Sequence, residues 1–405
     1  MRIKSFVALR PKAEVVSRVA APPYDVVDAD EARALAAGNP CSFLRVSRAE
    51  IDFPAGTDPY SPAIYARAAD TFAAFQRDGL LVRDSRPSLY LYRQRMGTHV
   101  QRGVVACCHI EDYERNLIRK HEKTRQDKED DRVRHVQALR ANSGPVFLMY
   151  RDVAAIDQLV AECEYGRPIY DFTAPDGVVH TVWRFAGSEA PARAFGAVPL
   201  LYIADGHHRA AAAARAGAEY RKANPSHTGN EEYNWFLAVM FPATQLQILA
   251  YNRLVKDLSG HTPVSFLDAL KGSFRVKPEA GPKPASARRA SMFLDGKWHG
   301  LEWDLPANAD PVRSLDVSYL QEKLLDPVLG IRDPRTDKRI SFVGGGRGTN
   351  ALEDRVRRGE AAVAFSMYPV TPDQVMAIAD AGQIMPPKST WFEPKLRSGL
   401  LVHTL

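Results

Sequence analysis

The densest concentration of reactive side chains in the sequence is Asp205-Gly206-His207-His208-Arg209, which follows the apolar run P-L-L-Y-I-A and opens an alanine-rich stretch. A strand running through a glycine turn into a helix leaves the first backbone N–H groups of that helix without internal partners, and the helix dipole adds positive potential there. Such a turn suits an anion, and a phosphate in particular. Asp205 stands where an N-cap carboxylate would accept from the first-turn amides, Gly206 permits close approach to the backbone, and the Arg209 side chain leans back towards the turn. The turn lacks both the G-x-x-x-x-G-K-[ST] of a P-loop and the three glycines of a dinucleotide fingerprint. Two other readings of the same residues stay open. Asp205, His207 and His208 could ligate a metal, or the turn could be a capped helix whose histidines satisfy local hydrogen bonds.

A second constellation is His121-Glu122-Lys123-Thr124, followed by Asp130-Asp131-Arg132. A histidine or carboxylate beside a cation suits general base work, because the cation holds the attacked group while the base removes its proton. The bland alternative is a solvated charged face. Between Glu111 and Arg134, 16 of 24 residues are charged, eight of each sign, so the stretch is no basic tail. Pro22-Pro23-Tyr24-Asp25 forms a stiff loop that reads equally as a site rim or a turn. Gly344-Gly345-Gly346-Arg347-Gly348 could offer amides to a phosphate, but without a Lys-Ser or Lys-Thr partner it reads as a flexible loop. The segment M-P-P-K-S-T-W-F-E-P-K, with Lys388, Ser389, Thr390 and Lys395, reads as a rigid cover over the core rather than as a source of a site residue.

The elements that must carry these residues follow from periodicity. Ile64, Ala68, Phe72 and Phe75 recur at helical spacing between Pro62 and Arg77, and Asp78-Gly79 supplies a stop. S-L-Y-L-Y-R-Q and V-V-A-C-C-H-I read as a hairpin around Met96-Gly97, and a second hairpin turns at Asp176-Gly177. P-V-F-L-M-Y reads as a buried strand, 156–163 as a helix, and 235–240 and 246–254 as strands. Residues 277–289 read as a loop or linker, and a hairpin turns at Asp295-Gly296. A helix over 315–325 is followed by strand signals at 340–343 and 361–367 and a helix over 372–381. The resulting fold class is α/β (α+β, mixed sheets), divided near residue 255 into domains 1–255 and 256–405.

Composition narrows the function. With 405 residues, 45% hydrophobic and 25% charged, the chain is an ordinary globular protein with sizeable cores. Its 54 basic and 48 acidic residues leave a net charge of +6, too small for a generic polyanion binder, and no aromatic-interleaved basic stripe suggests nucleic acid. No run approaches the length of a membrane span, and Arg10 and Lys12 interrupt any signal-peptide core, so the expected compartment is the cytoplasm. Cys41, Cys107, Cys108 and Cys163 lack C-x-x-C spacing and read as buried reduced thiols.

Taken in order, A-A-P-P-Y-D-V-V, H-E-K-T, Y-I-A-D-G-H-H-R, L-D-V-S-Y-L-Q-E-K-L-L-D-P-V-L-G-I and M-P-P-K-S-T-W-F-E-P-K-L-R-S-G-L resemble a prokaryotic family known as a domain of unknown function, number ten-fifteen. Around residue 205 the strand-turn-helix is also similar to the nucleotide-binding box of the ParB and sulfiredoxin superfamily, which includes free-serine kinases. Where a P-T-H-R-like turn would be expected, this chain has Ala250-Tyr251-Asn252-Arg253. That resemblance implies a phosphotransferase using ATP or ADP, assisted by Mg²⁺, on a small hydroxylated metabolite such as free L-serine. Gly206, His207, His208 and Arg209 would then meet the phosphates, with Lys123, Thr124 and Arg132 as clamps. Glu122 or His121 would be the base, Asp205 and His208 would act in catalysis, Asp205 would hold the metal, and Tyr24 and Asp25 would rim the substrate. The expected partners are a nucleotide, a small molecule and a second copy of the chain. Two rival functions are a nucleotide-sensing switch without turnover and a metal-dependent hydrolase on Asp205, His207 and His208.

Overall fold

The computed structural model describes residues 1–305 and 310–405, which form two compact units, Met1–Leu246 with Pro394–Leu405, and Gln247–Glu393. The first unit is built on a nine-stranded mixed sheet. Its strands are β1 (Ile3–Lys4), β2 (Tyr90–Met96), β3 (His99–His109), β4 (Ile118–Arg119), β5 (Val146–Tyr150), β6 (Tyr170–Thr173), β7 (Val179–Arg184), β8 (Leu201–Asp205) and β9 (Trp235–Pro242). They lie in the order β4-β8-β5-β9-β3-β2-β7-β6, with β1 paired to β3. β4 with β8 and β5 with β9 are parallel, and the remaining pairs are antiparallel. Both hairpins occur as the turn residues demand. Met96 pairs with His99 around Gly97, and Thr173 pairs with Val179 around Gly177, both glycines at positive φ.

The helices among the described residues include α1 (Pro62–Arg77), α2 (Gln126–Leu139), α3 (Ala154–Glu164) and α4 (His207–Ala223). α1 starts with Pro62 in its first turn and buries Ile64, Ala68, Phe72 and Phe75, the stripe its spacing predicts. α4 is rich in alanine because it is packed on two sides. Ala210, Ala213 and Ala214 join Ile118, Leu148 and Ile203 in the core, while Ala212 and Ala216 meet Val133 of α2. Gly217 completes this tight fit, since a Cβ there would lie 2.4 Å from the Tyr233 carbonyl oxygen and 2.8 Å from Ile110 Cδ1.

The second unit centres on a six-stranded antiparallel sheet made from β10 (Tyr251–Val255), β11 (Arg275–Pro278), β12 (Arg289–Leu294), β13 (Lys297–Glu302), β14 (Ile340–Gly344) and β15 (Val363–Met367), in the order β11-β13-β12-β15-β10-β14. β10 pairs with both β14 and β15, so the chain divides at 246 rather than 255. The C-terminal segment, in turn, belongs to the first unit. Ser398 exchanges backbone hydrogen bonds with Ala21, and Val402 does so with Leu9. The 277–289 stretch is a loop only from 279 to 288, because residues 275–278 pair along β13. A helix at Ala29–Leu35 escaped the periodicity reading, although its D-x-x-E signature was present as the capping box of Asp28 and Glu31.

Cys41, Cys107 and Cys108 are buried, Cys163 is half-buried, and all four are free thiols. Among the described residues no helix is long and apolar enough to cross a membrane.

Mid-helix Gly→Ala ordinarily gains about 1 kcal/mol. At Gly217 the sign should reverse, because the added methyl overlaps a backbone carbonyl, and overpacking costs about 1–3 kcal/mol. Urea unfolding of Gly217→Ala should show a lower midpoint at unchanged m; a raised midpoint would refute the packing of α4.

Candidate functional site

β8 ends at Asp205, and α4 begins at His207 with Gly206 as its cap residue at φ +91°. Only glycine takes that left-handed conformation freely. A Cβ at Gly206 would also lie 2.9 Å from both Cζ and Nε of Arg209, so the guanidinium rests directly on the cap backbone. Asp205 is therefore not the N-cap. The cap residue Gly206 supplies no side-chain cap to α4, and the Asp205 carboxylate turns instead to cations.

Arg209 Nη2 donates to Asp205 Oδ2 at 2.8 Å, and Lys395 Nζ stands 3.6 Å from Asp205 Oδ1. Arg209 Nη1 also donates to the Pro145 carbonyl, and Nη2 lies 3.9 Å from Asp25. Burial works against the charged form of Asp205, but Lys395 and Arg209 outweigh it and push the carboxyl down to about 2. The C-terminal segment thus contributes a site cation, Lys395, rather than acting only as a cover. Both oxygens of Asp205 face cations, which does not suit it to Mg²⁺. Arg209 is likewise committed to protein partners and only 9% exposed, so it orders the turn rather than reaching outwards.

The H-E-K-T segment lies beside the start of α4. His121 and His207 pack edge to face with ring centroids 4.5 Å apart, and the Arg125 backbone N–H donates to His208 Nε2 at 3.1 Å. That bond leaves the proton of a neutral His208 on Nδ1. His208 is half-buried, and burial lowers its pKa, with Asp25 opposing. His121 is 2% exposed; burial pushes it down to about 4, against a hydrogen bond with the Ile203 backbone, so it is neutral and shielded from solvent at neutral pH. Glu122 is half-buried and Lys123 exposed. Thr124 Oγ1 donates to Glu129 at 3.1 Å.

The rim loop closes the other side. Arg132 of α2 lies 3.9 Å from the centre of the Tyr24 ring and pairs with Asp131 at 2.6 Å, and Asp131 accepts from Tyr65 at 2.8 Å. Arg132 is thus a wall more than a free clamp. Tyr24, Ser47, Arg132, Ser143, Arg209 and Ser398 line a cavity of about 40 Å³, room for a few waters or one small polar group. Arg209 is paired with Asp205 and lies near Asp25, Lys395 faces Asp205, and Arg132 pairs with Asp131, while Asp25, Asp127 and Glu129 lie near His208. Spacing alone does not pair Lys395 with Asp205, which lies 190 residues earlier in the chain.

An α/β protein of two units, with a strand-glycine-helix turn set in an ionic cluster, is the class these features define. The chain belongs to the family described as "Protein of unknown function (DUF1015)", which matches residues 3–318. No curated protein matches it. Among solved structures it is similar to a conserved hypothetical protein from Pyrococcus furiosus (14% identity, TM-score 0.37, covering 73% of this chain and 93% of that one). A free serine kinase mutant in complex with AMP has 13% identity and a TM-score of 0.36, covering 72% of this chain and 87% of that one. C-terminally truncated SbnI from Staphylococcus aureus has 11% identity and a TM-score of 0.36, covering 71% and 82%. Likenesses this distant carry no argument about activity.

His135 of α2, beside this site, gives a test of its burial. Its Nε2 bonds the Val46 carbonyl at 3.0 Å, and burial, then Arg132, pushes it from 6.5 down to about 3. The unfolded chain then binds this proton near 6.5 and the folded chain does not, so stability falls as pH drops from about 6.5 towards 3. The loss is on the order of a few kcal/mol. Urea unfolding across that range should show it, with a shallower slope for His135→Gln; identical slopes would contradict this environment.

Proposed function

We propose that the chain is a nucleotide-dependent phosphotransferase, using ATP or ADP on a small hydroxylated metabolite, with free L-serine the first acceptor to test. The observation that carries this reading is the start of α4 at a left-handed glycine, set in the ion-paired cluster of Asp205, Arg209 and Lys395 and flanked by the Glu122-bearing segment. On this reading the turn is a ParB/sulfiredoxin-type nucleotide box.

The amides of Gly206, His207 and His208 receive the terminal phosphate, where the helix dipole and the turn geometry favour an anion. His208 adds its Nδ1–H, and exposed Lys123 adds a mobile positive charge. Arg209 and Lys395 hold Asp205 in place and keep the surroundings from becoming negative. The cavity beside Tyr24 and Arg132 is far too small for a nucleotide and takes the polar end of the acceptor. The acceptor oxygen attacks the terminal phosphorus, the bond to the leaving nucleotide oxygen breaks, and the acceptor's proton passes to Glu122. Glu122 is preferred to His121 as base because His121 is sealed in the core.

The metal-dependent hydrolase on Asp205, His207 and His208 fits poorly. Asp205 faces two cations, and His208 Nε2 is occupied by the Arg125 amide.

Incubation with ATP or ADP and serine should yield phosphoserine, detected by mass spectrometry. Glu122→Gln should lower turnover at least about 100-fold while leaving nucleotide affinity within a few-fold, the size of a lost general base. Nucleotide binding without product from any hydroxy amino acid would favour a sensing switch; no nucleotide binding would overturn the reading.

A further inference from the structure

We propose that His121, Glu122 and His207 form a binding site for a divalent transition metal of the zinc class. This set differs from both metal assignments that the D-G-H-H-R motif suggests, because it spans two segments and excludes Asp205 and His208.

The first argument is geometric. One ligand atom from each of His121, Glu122 and His207 lies within 4.8 Å of the others. Nitrogen and oxygen ligands bind zinc at about 2.0–2.2 Å, which puts neighbouring ligands roughly 3.5 Å apart, so closing on an ion needs side-chain adjustments of about 1 Å or less. Two imidazoles and one carboxylate are a common set for zinc, and the same donors also suit manganese or iron.

The second argument concerns polar satisfaction. His207 is 6% exposed, and its Nε2 is buried without a hydrogen-bond partner among the described residues. A buried imidazole nitrogen in that condition costs stability unless something occupies it, and an ion would do so. The third is the support around the cluster. His121 is hydrogen-bonded to the Ile203 backbone, which orients its ring as metal-ligating histidines are usually oriented, through their second nitrogen. Ile203 lies on β8 and His207 opens α4, so the ion would tie the H-E-K-T segment to the strand-turn-helix. The nearest fixed cation on that turn, Arg209, is already neutralised by Asp205.

Binding would engage the carboxylate that the phosphotransfer reading uses as a base. The two ideas are nevertheless separable: metal uptake is read without nucleotide, and phosphoserine formation is assayed in protein stripped of transition metal, with the chelator removed and Mg²⁺ supplied.

The test uses the full chain stripped with a chelator, then titrated with Co²⁺ and Zn²⁺. One equivalent of Co²⁺ should give visible d–d bands typical of four or five ligands, and Zn²⁺ should displace it mole for mole. Glu122→Gln, at a half-buried position, and His207→Ala should each weaken binding at least about tenfold, whereas His208→Ala should retain it. Circular dichroism checks that each variant is folded; should His207→Ala unfold, Glu122→Gln decides alone. Absence of stoichiometric uptake, or uptake unchanged in folded Glu122→Gln, would overturn the proposal and leave the histidine pair as aromatic packing.

Discussion

The arrangement depends on the carboxylate of Asp205 held between Arg209 and Lys395. It ties four parts of the first unit together. Asp205 ends β8, Arg209 lies in the first turn of α4 and reaches the Pro145 carbonyl ahead of β5, and Lys395 arrives with the C-terminal segment. Removing one member would strand a buried charge, which typically costs about 3–5 kcal/mol. The cluster also spends the side chains most obviously suited to an anion, so the proposed phosphate contacts fall to backbone amides, His208 and Lys123.

Around this cluster the packing is unusually close. α4 is confined between the sheet and α2, and alanines with Gly217 make up most of its buried positions. The same confinement fixes the relative positions of His207 on α4 and Arg132 on α2. A rigid helix start offers preformed amides, and preformed donors lose little freedom on binding. The turn and its scaffold are thus parts of one construction, in which small residues bring charged ones together.

Much of the secondary structure was legible because it depends on local period and punctuation. The Phe72–Phe75 stripe, the Gly97 and Gly177 turns and the apolar strands of the sheet are of this kind. The site was legible only in part. Asp205, Gly206 and the two histidines identify a strand-turn-helix, but not which way each side chain points. His207 and Arg209 turned inwards and Asp205 left the helix cap, because burial and the approach of Lys395 decide those orientations. Non-local pairing also explains the displaced boundary, since β10 reads as one strand with the residues before it until its partners β14 and β15 are known.

The central claim is that the amides at the start of α4 hold phosphate. Backbone amide NMR during titration with ADP tests it most directly. The account predicts that the resonances of Gly206, His207 and His208 shift together and saturate with the same dissociation constant as nucleotide binding measured by calorimetry. Saturating nucleotide binding that leaves those three amides unmoved would contradict it.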